Sequence, residues 1–137
     1  MSAVFSEGDV IVYPYRWRSE RDEGRSVDGA KERPCCLVLL VTDSAGRETV
    51  ILAPVSSKPP RADQTAIEIP EIERRRAGLE GYPQAWVFVD EVNADRVADS
   101  WYLEPQAPLG AFGRSFLAKV AAGIRAHAGK GKIVVRR

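Results

Sequence analysis

Histidine is almost missing from this chain of 137 residues, which has only His127, and its two cysteines, Cys35 and Cys36, stand side by side. Neighbouring residues on a strand point to opposite faces, which argues against a disulfide between them. One histidine and one cysteine pair supply no zinc-binding constellation. The expectation is a reduced protein with no metal and no cofactor. Long apolar runs are lacking too. The longest, Cys35 to Val41, spans seven residues, against about 20 for a membrane helix. The first apolar segment, Val10 to Val12, is too short for a secretion signal and follows acidic residues. A cytoplasmic location with no membrane partner is expected. Net charge is scarce as well, at +1. Residues 129–137 carry Lys130, Lys132, Arg136 and Arg137 without an acid, so residues 1–128 hold 16 basic against 19 acidic side chains. That balance excludes broad neutralisation of duplex phosphates. Any nucleic acid must be short and gripped locally.

What is present suits one globular domain over residues 1–128 with a basic tail at 129–137, read as a flexible extension. Apolar residues make up 45% of the chain and charged residues 28%, enough for a core. Val10 to Tyr13 is a short β-branched run stopped by Pro14. The stretch from Tyr15 to Arg33 is polar, with six basic and five acidic residues, and a connection of that length is usually functional or mobile. Pro34 to Val41 reads as a central strand buried on both faces. Asp43-Ser44-Ala45-Gly46 is a turn, and Glu48 to Val55 is the antiparallel partner. Residues 56–63 form a loop, and residues 65–69 alternate as a strand. Pro70 opens a short helix whose acids precede its arginines, matching the helix dipole. Trp86 to Val89 is a strand, and Trp101 to Leu103 is read as another. From Phe112 to Ala126 the apolar residues recur with helical period, leaving Arg114 and Arg125 outside. Five or six short strands and one late helix indicate an α+β protein built on a bent antiparallel sheet or partial barrel.

The order of these segments carries a resemblance. Gly8-Asp9-Val10-Ile11, a long polar loop, Arg33-Pro34 before an aliphatic strand, Ala53-Pro54-Val55-Ser56-Ser57, and Val87-Phe88-Val89-Asp90-Glu91-Val92 before a C-terminal helix resemble the PemK/MazF-like toxins of toxin–antitoxin systems. The similarity covers most of residues 7–127. It implies an SH3-like barrel of the PemK/CcdB type, usually a homodimer. It further implies a metal-independent endoribonuclease that cuts single-stranded RNA and is silenced by a cognate antitoxin protein. The family's active site matches at Arg33 and at Ser56, which stands where threonine is usual. The accompanying acid is closest to Asp28 by spacing, with Glu23 and Glu20 as alternatives in a longer loop. Arg16, Trp17, Arg18, Ser57 and Lys58 are the candidate RNA-binding residues.

These residue types suit the chemistry. Cleavage needs the 2′-hydroxyl to attack phosphorus while charge on the phosphate is stabilised. A planar guanidinium at Arg33 can give two parallel hydrogen bonds to phosphate oxygens, and Ser56 can add a third. Asp28 could accept the 2′-hydroxyl proton. Trp17, between Arg16 and Arg18, could stack on a base, or anchor a second protein chain. Plainer readings stand beside these: Arg33 paired to Glu32 or Glu48, Ser56 as a turn residue, and Arg74-Arg75-Arg76 as a solvated helix end. The competing functions are a non-catalytic barrel that binds RNA or protein, and a CcdB-like toxin acting through protein contacts.

Overall fold

The structure is a computed structural model and describes residues 5–17, 32–97, 107–127 and 133–136. In chain order the elements are β1 (Asp9–Tyr13), β2 (Arg33–Thr42), β3 (Glu48–Ser56), β4 (Ala66–Glu68), α1 (Glu71–Arg76), β5 (Trp86–Phe88), β6 (Val92–Arg96), β7 (Gly110–Ala111), α2 (Arg114–Ala126) and β8 (Ile133–Arg136). The chain is thus mixed α+β and mostly antiparallel sheet. The strands run β4-β5-β3-β2-β1-β7, and among the described residues this path does not close on itself. β3 is the branch point. One edge pairs with β2, while the other is shared between β6 along Thr49–Leu52 and β5 at Val55–Ser56.

The hairpin of β2 and β3 forms where alternation and turn chemistry place it. Asp43 accepts the backbone N–H groups of Ala45 and Arg47, both at 2.9 Å, and pairs with the Arg47 guanidinium at 2.9 Å. Gly46 supplies the positive φ of 81° that the turn requires. The backbone N–H of Arg47 leads the donors that hold the Asp43 carboxyl below its ordinary value.

β2 is not buried on both faces along its whole length. Cys35 to Val38 are buried, but Leu39 and Val41 are 46% and 43% exposed. A β-bulge causes the change, because the pairing steps from Leu37↔Leu52 to Leu39↔Ile51 and leaves Val38 as a surplus residue. Cys35 and Leu37 face one apolar cluster, and past the bulge Leu40 takes over that side. Leu39 and Val41 are turned towards solvent instead.

Two cores flank the central strands. One gathers Val10, Cys36, Val38, Ala53 and Val55 against Phe116 and Val120 of α2, with Ile69, Leu79 and Val87. The other gathers Phe5, Ile11, Tyr13, Tyr15, Cys35, Leu37, Val50 and Leu52, with Trp17 packed at its margin.

Several elements differ from their sequence-based expectation. β6 carries only a weak apolar signal, because Val92-Asn93-Ala94-Asp95-Arg96 has just one valine and one alanine among polar residues. It is nonetheless buried at Asn93 and Asp95, whose polar atoms find partners: the Tyr13 hydroxyl donates to Asp95 at 2.6 Å, and Asn93 bonds the Arg16 backbone at both its N–H and its carbonyl, each at 2.9 Å. In the segment read as a flexible basic tail, Ile133–Arg136 is a strand parallel to β6, in the register Val92↔Ile133. The strand expected at Trp101–Leu103 lies outside the described residues. α2 begins at Arg114, with Gly113 as its N-cap and Phe112 buried just before it. Among the described residues no helix is long and apolar enough to cross a membrane.

The two helices are tied together by one carboxylate. Glu73 on α1 is buried; it accepts the Gly113 N–H at 2.7 Å and the Arg76 guanidinium at 2.7 Å. The negative group sits at the positive end of α2. Arg74 donates to the Ile69 carbonyl at 2.7 Å, so two of the three consecutive arginines are structural rather than merely solvated. Behind them Gly110 lies so close to α1 that a Cβ there would overlap the Arg76 carbonyl.

Candidate functional site

Arg33 opens β2 and Ser56 closes β3. Carried on by two residues from Cys35↔Pro54, the register sets Arg33 directly across from Ser56. Alternation places both on the face of Cys35, Leu37 and Leu52, so they form its polar end. Neighbouring strands lie about 4.8 Å apart, and the two side chains line one cavity of about 450 Å³. Ser57, Lys58 and Trp17 line it with them. Five of the eight sequence-predicted site residues therefore meet at one place.

Arg33 reaches the cavity in an unusual electrostatic setting. Its guanidinium carbon lies 5.2 Å from the centre of the Trp17 ring, a cation–π contact. Its Nε is buried and has no hydrogen-bond partner among the described residues. No carboxylate of the described residues forms an ion pair with it, Glu32 and Glu48 included. Trp17 orients the cation without cancelling its charge. That leaves the guanidinium charge available to an anion in the cavity.

Trp17 is itself held. Its ring meets Tyr15 and Phe88 edge-on, each at 5.3 Å between centroids. The Tyr15 hydroxyl donates to Glu91 at 3.1 Å, and burial, with Glu91 next, raises the Tyr15 pKa well above its ordinary value. With the Tyr13 and Arg16 contacts to β6, these bonds fasten the segment leading to Trp17. Instead of projecting from a loop, Trp17 is half-buried, with Arg33 over its ring.

Ser56 combines its two readings. Its Oγ accepts the Lys58 backbone N–H at 3.1 Å, as a turn residue would. The hydroxyl hydrogen stays available to donate. Arg16 is not a lining residue of the cavity, and its backbone is engaged by Asn93. Arg18 and Asp28, and the alternatives Glu23 and Glu20, lie outside the described residues. The cavity also draws in Glu32, Arg61, Gln64, Tyr82 and Phe88, none of which was singled out for it from the sequence. Arg61 follows two prolines in a segment legible as a loop, but nothing local shows that this loop folds back over β3. Among the described residues no group of three His, Cys, Asp or Glu side chains is placed to hold a metal ion. No protein-family model matches the chain, and no curated protein matches it either.

Proposed function

We propose that this protein is a metal-independent endoribonuclease for single-stranded RNA, the toxin of a toxin–antitoxin pair. The observation that carries the reading is the convergence of Arg33 and Ser56 on one cavity. The family resemblance supplies the rest: the bent, branching sheet as an SH3-like barrel of the PemK/CcdB type, a homodimer, and a cognate antitoxin as the inhibiting partner. A cavity rimmed by Arg33, Lys58 and Arg61 suits a phosphodiester, and its aromatic walls suit an unstacked base.

In this reading the ribose 2′-oxygen attacks the adjacent phosphorus and the bond to the 5′-oxygen breaks, leaving a 2′,3′-cyclic phosphate and a 5′-hydroxyl. Arg33 donates to the non-bridging oxygens as negative charge grows on them. Ser56 gives one further hydrogen bond. Asp28 is the proposed acceptor of the 2′-hydroxyl proton, which passes to bulk water while the leaving oxygen gains one.

The test is cleavage of single-stranded RNA in EDTA by the wild type and by Arg33→Ala. We expect the variant to lose roughly 10²- to 10³-fold in rate, the usual effect of removing one oxyanion donor, with an unchanged circular-dichroism spectrum. Equal cutting by both proteins refutes the role of Arg33. A wild type that binds RNA and leaves it whole replaces the nuclease by a binding barrel.

A further inference from the structure

We infer that Gln64 reads a keto group of a nucleobase held in this cavity, acting purely as a hydrogen-bond donor; the inference rests on the RNA-binding reading above. Gln64 lines the same cavity as Arg33 and Ser56. Its amide is oriented by one bond across the loop, and a second bond ties the backbones of the same two residues. The Arg61 backbone N–H donates to Gln64 Oε1 at 2.9 Å, and the Gln64 backbone N–H donates to the Arg61 carbonyl at 3.0 Å. Flipping the amide would set its NH₂ group against the Arg61 N–H, donor facing donor, so the orientation is dictated by chemistry. The carbonyl end is consumed inside the loop. What remains for a ligand is the NH₂ group.

A donor held in place discriminates by the group it meets. Uracil and guanine carry a carbonyl oxygen where cytosine and adenine carry an amino group. Gln64 favours the first pair and opposes the second, because a donor facing a donor leaves both unsatisfied. The cavity's volume of about 450 Å³ lies in the range of small-ligand sites and suits a single nucleotide, with Tyr82 and Phe88 offering ring surface to the base. Arg33 and Ser56 lie in the same space for the phosphate of that nucleotide. Gln64 is thereby the specificity-determining residue of the site, and the keto base sits next to the phosphate that Arg33 holds.

The experiment uses the full chain and two readouts. Cleavage sites are mapped on a random-sequence single-stranded RNA pool in EDTA for the wild type, Gln64→Glu and Gln64→Leu. Binding of the four ribonucleoside monophosphates is measured in parallel by calorimetry. We expect the wild type to favour uracil or guanine over cytosine and adenine about tenfold, the value of one well-placed hydrogen bond, at one position beside the cut. The Gln64→Glu variant keeps an acceptor for the Arg61 N–H but turns an acceptor to the base, so the preference should swing towards cytosine and adenine. Gln64→Leu should flatten it. Identical base profiles in all three proteins, in both readouts, overturn the inference while leaving the nuclease intact. An uncut pool refutes the nuclease reading alone, and the monophosphate series still decides the role of Gln64.

Discussion

Replacing Glu73 by alanine should cost about 2 kcal/mol of stability, a figure that follows from its contacts. The carboxylate is buried and satisfies the Gly113 N–H at the start of α2. A hydrogen bond to a charged acceptor contributes about 1.5–3 kcal/mol, and its loss leaves the N–H without a partner. The bond to Arg76 adds little, because that arginine is 52% exposed and water screens it. With a urea slope of about 1.5 kcal/mol/M, the unfolding midpoint should fall by roughly 1.3 M. Glu73→Gln retains an acceptor for Gly113 at about half the strength of the charged bond, so its midpoint should lie between those of the wild type and the alanine variant. Urea titrations followed by far-UV circular dichroism measure all three. An alanine variant within about 0.3 M of the wild type, or a glutamine variant as weak as alanine, refutes the claim that this carboxylate fastens α2 to α1.

Two further outcomes can be checked on the same instrument. Gly110→Ala should lose about 3 kcal/mol or more, because its Cβ meets the Arg76 and Ala77 backbone; Gly46→Ala, with open space around it and φ of 81°, should lose only about 1 kcal/mol. Equal losses at the two positions would refute the close approach of Gly110 to α1. Tyr15 holds its proton to higher pH in the folded than in the unfolded chain, so its contribution is complete below about pH 10. Stability should fall as pH rises beyond that, since the folded state then binds more protons than the unfolded one. Tyr15→Phe should show a shallower decline in urea midpoint between pH 9 and 11, and an equal slope would refute the assignment.

How much was legible in the sequence depended on whether the signal was local. The β2–β3 hairpin announced itself through an apolar strand, an Asx turn and a glycine with the needed backbone freedom. α2 was visible in the fourfold spacing of Phe112, Phe116, Val120 and Ile124. β6 was not visible, because two of its four buried residues are an asparagine and an aspartate, whose partners lie some 80 residues away. Ile133–Arg136 reads as a charged tail until β6 is there to pair with it. At the site, Arg33 and Ser56 could be placed at the ends of neighbouring strands. Trp17 was a candidate for base stacking or a protein anchor, but its setting was hidden: the sequence shows a tryptophan among arginines, whereas its neighbour in space is an arginine sixteen residues on. Gln64 had no signal at all, since its constraint is a loop bond with Arg61 that no spacing rule anticipates.

The surplus residue at Val38 decides which serine the guanidinium meets. Counted back from the Asp43 turn through Thr42↔Glu48, an unbroken ladder would bring Arg33 opposite Ser57. The bulge takes up one position on β2 and so delivers Ser56 instead. A chain shortened by that single valine would straighten β2 and still set Arg33 across from Ser56. A strand of unchanged length paired without the bulge would instead misalign the groups of the cavity by one rung. The meeting of hydroxyl and cation is thus set by a kink in the middle of the strand, far from either group.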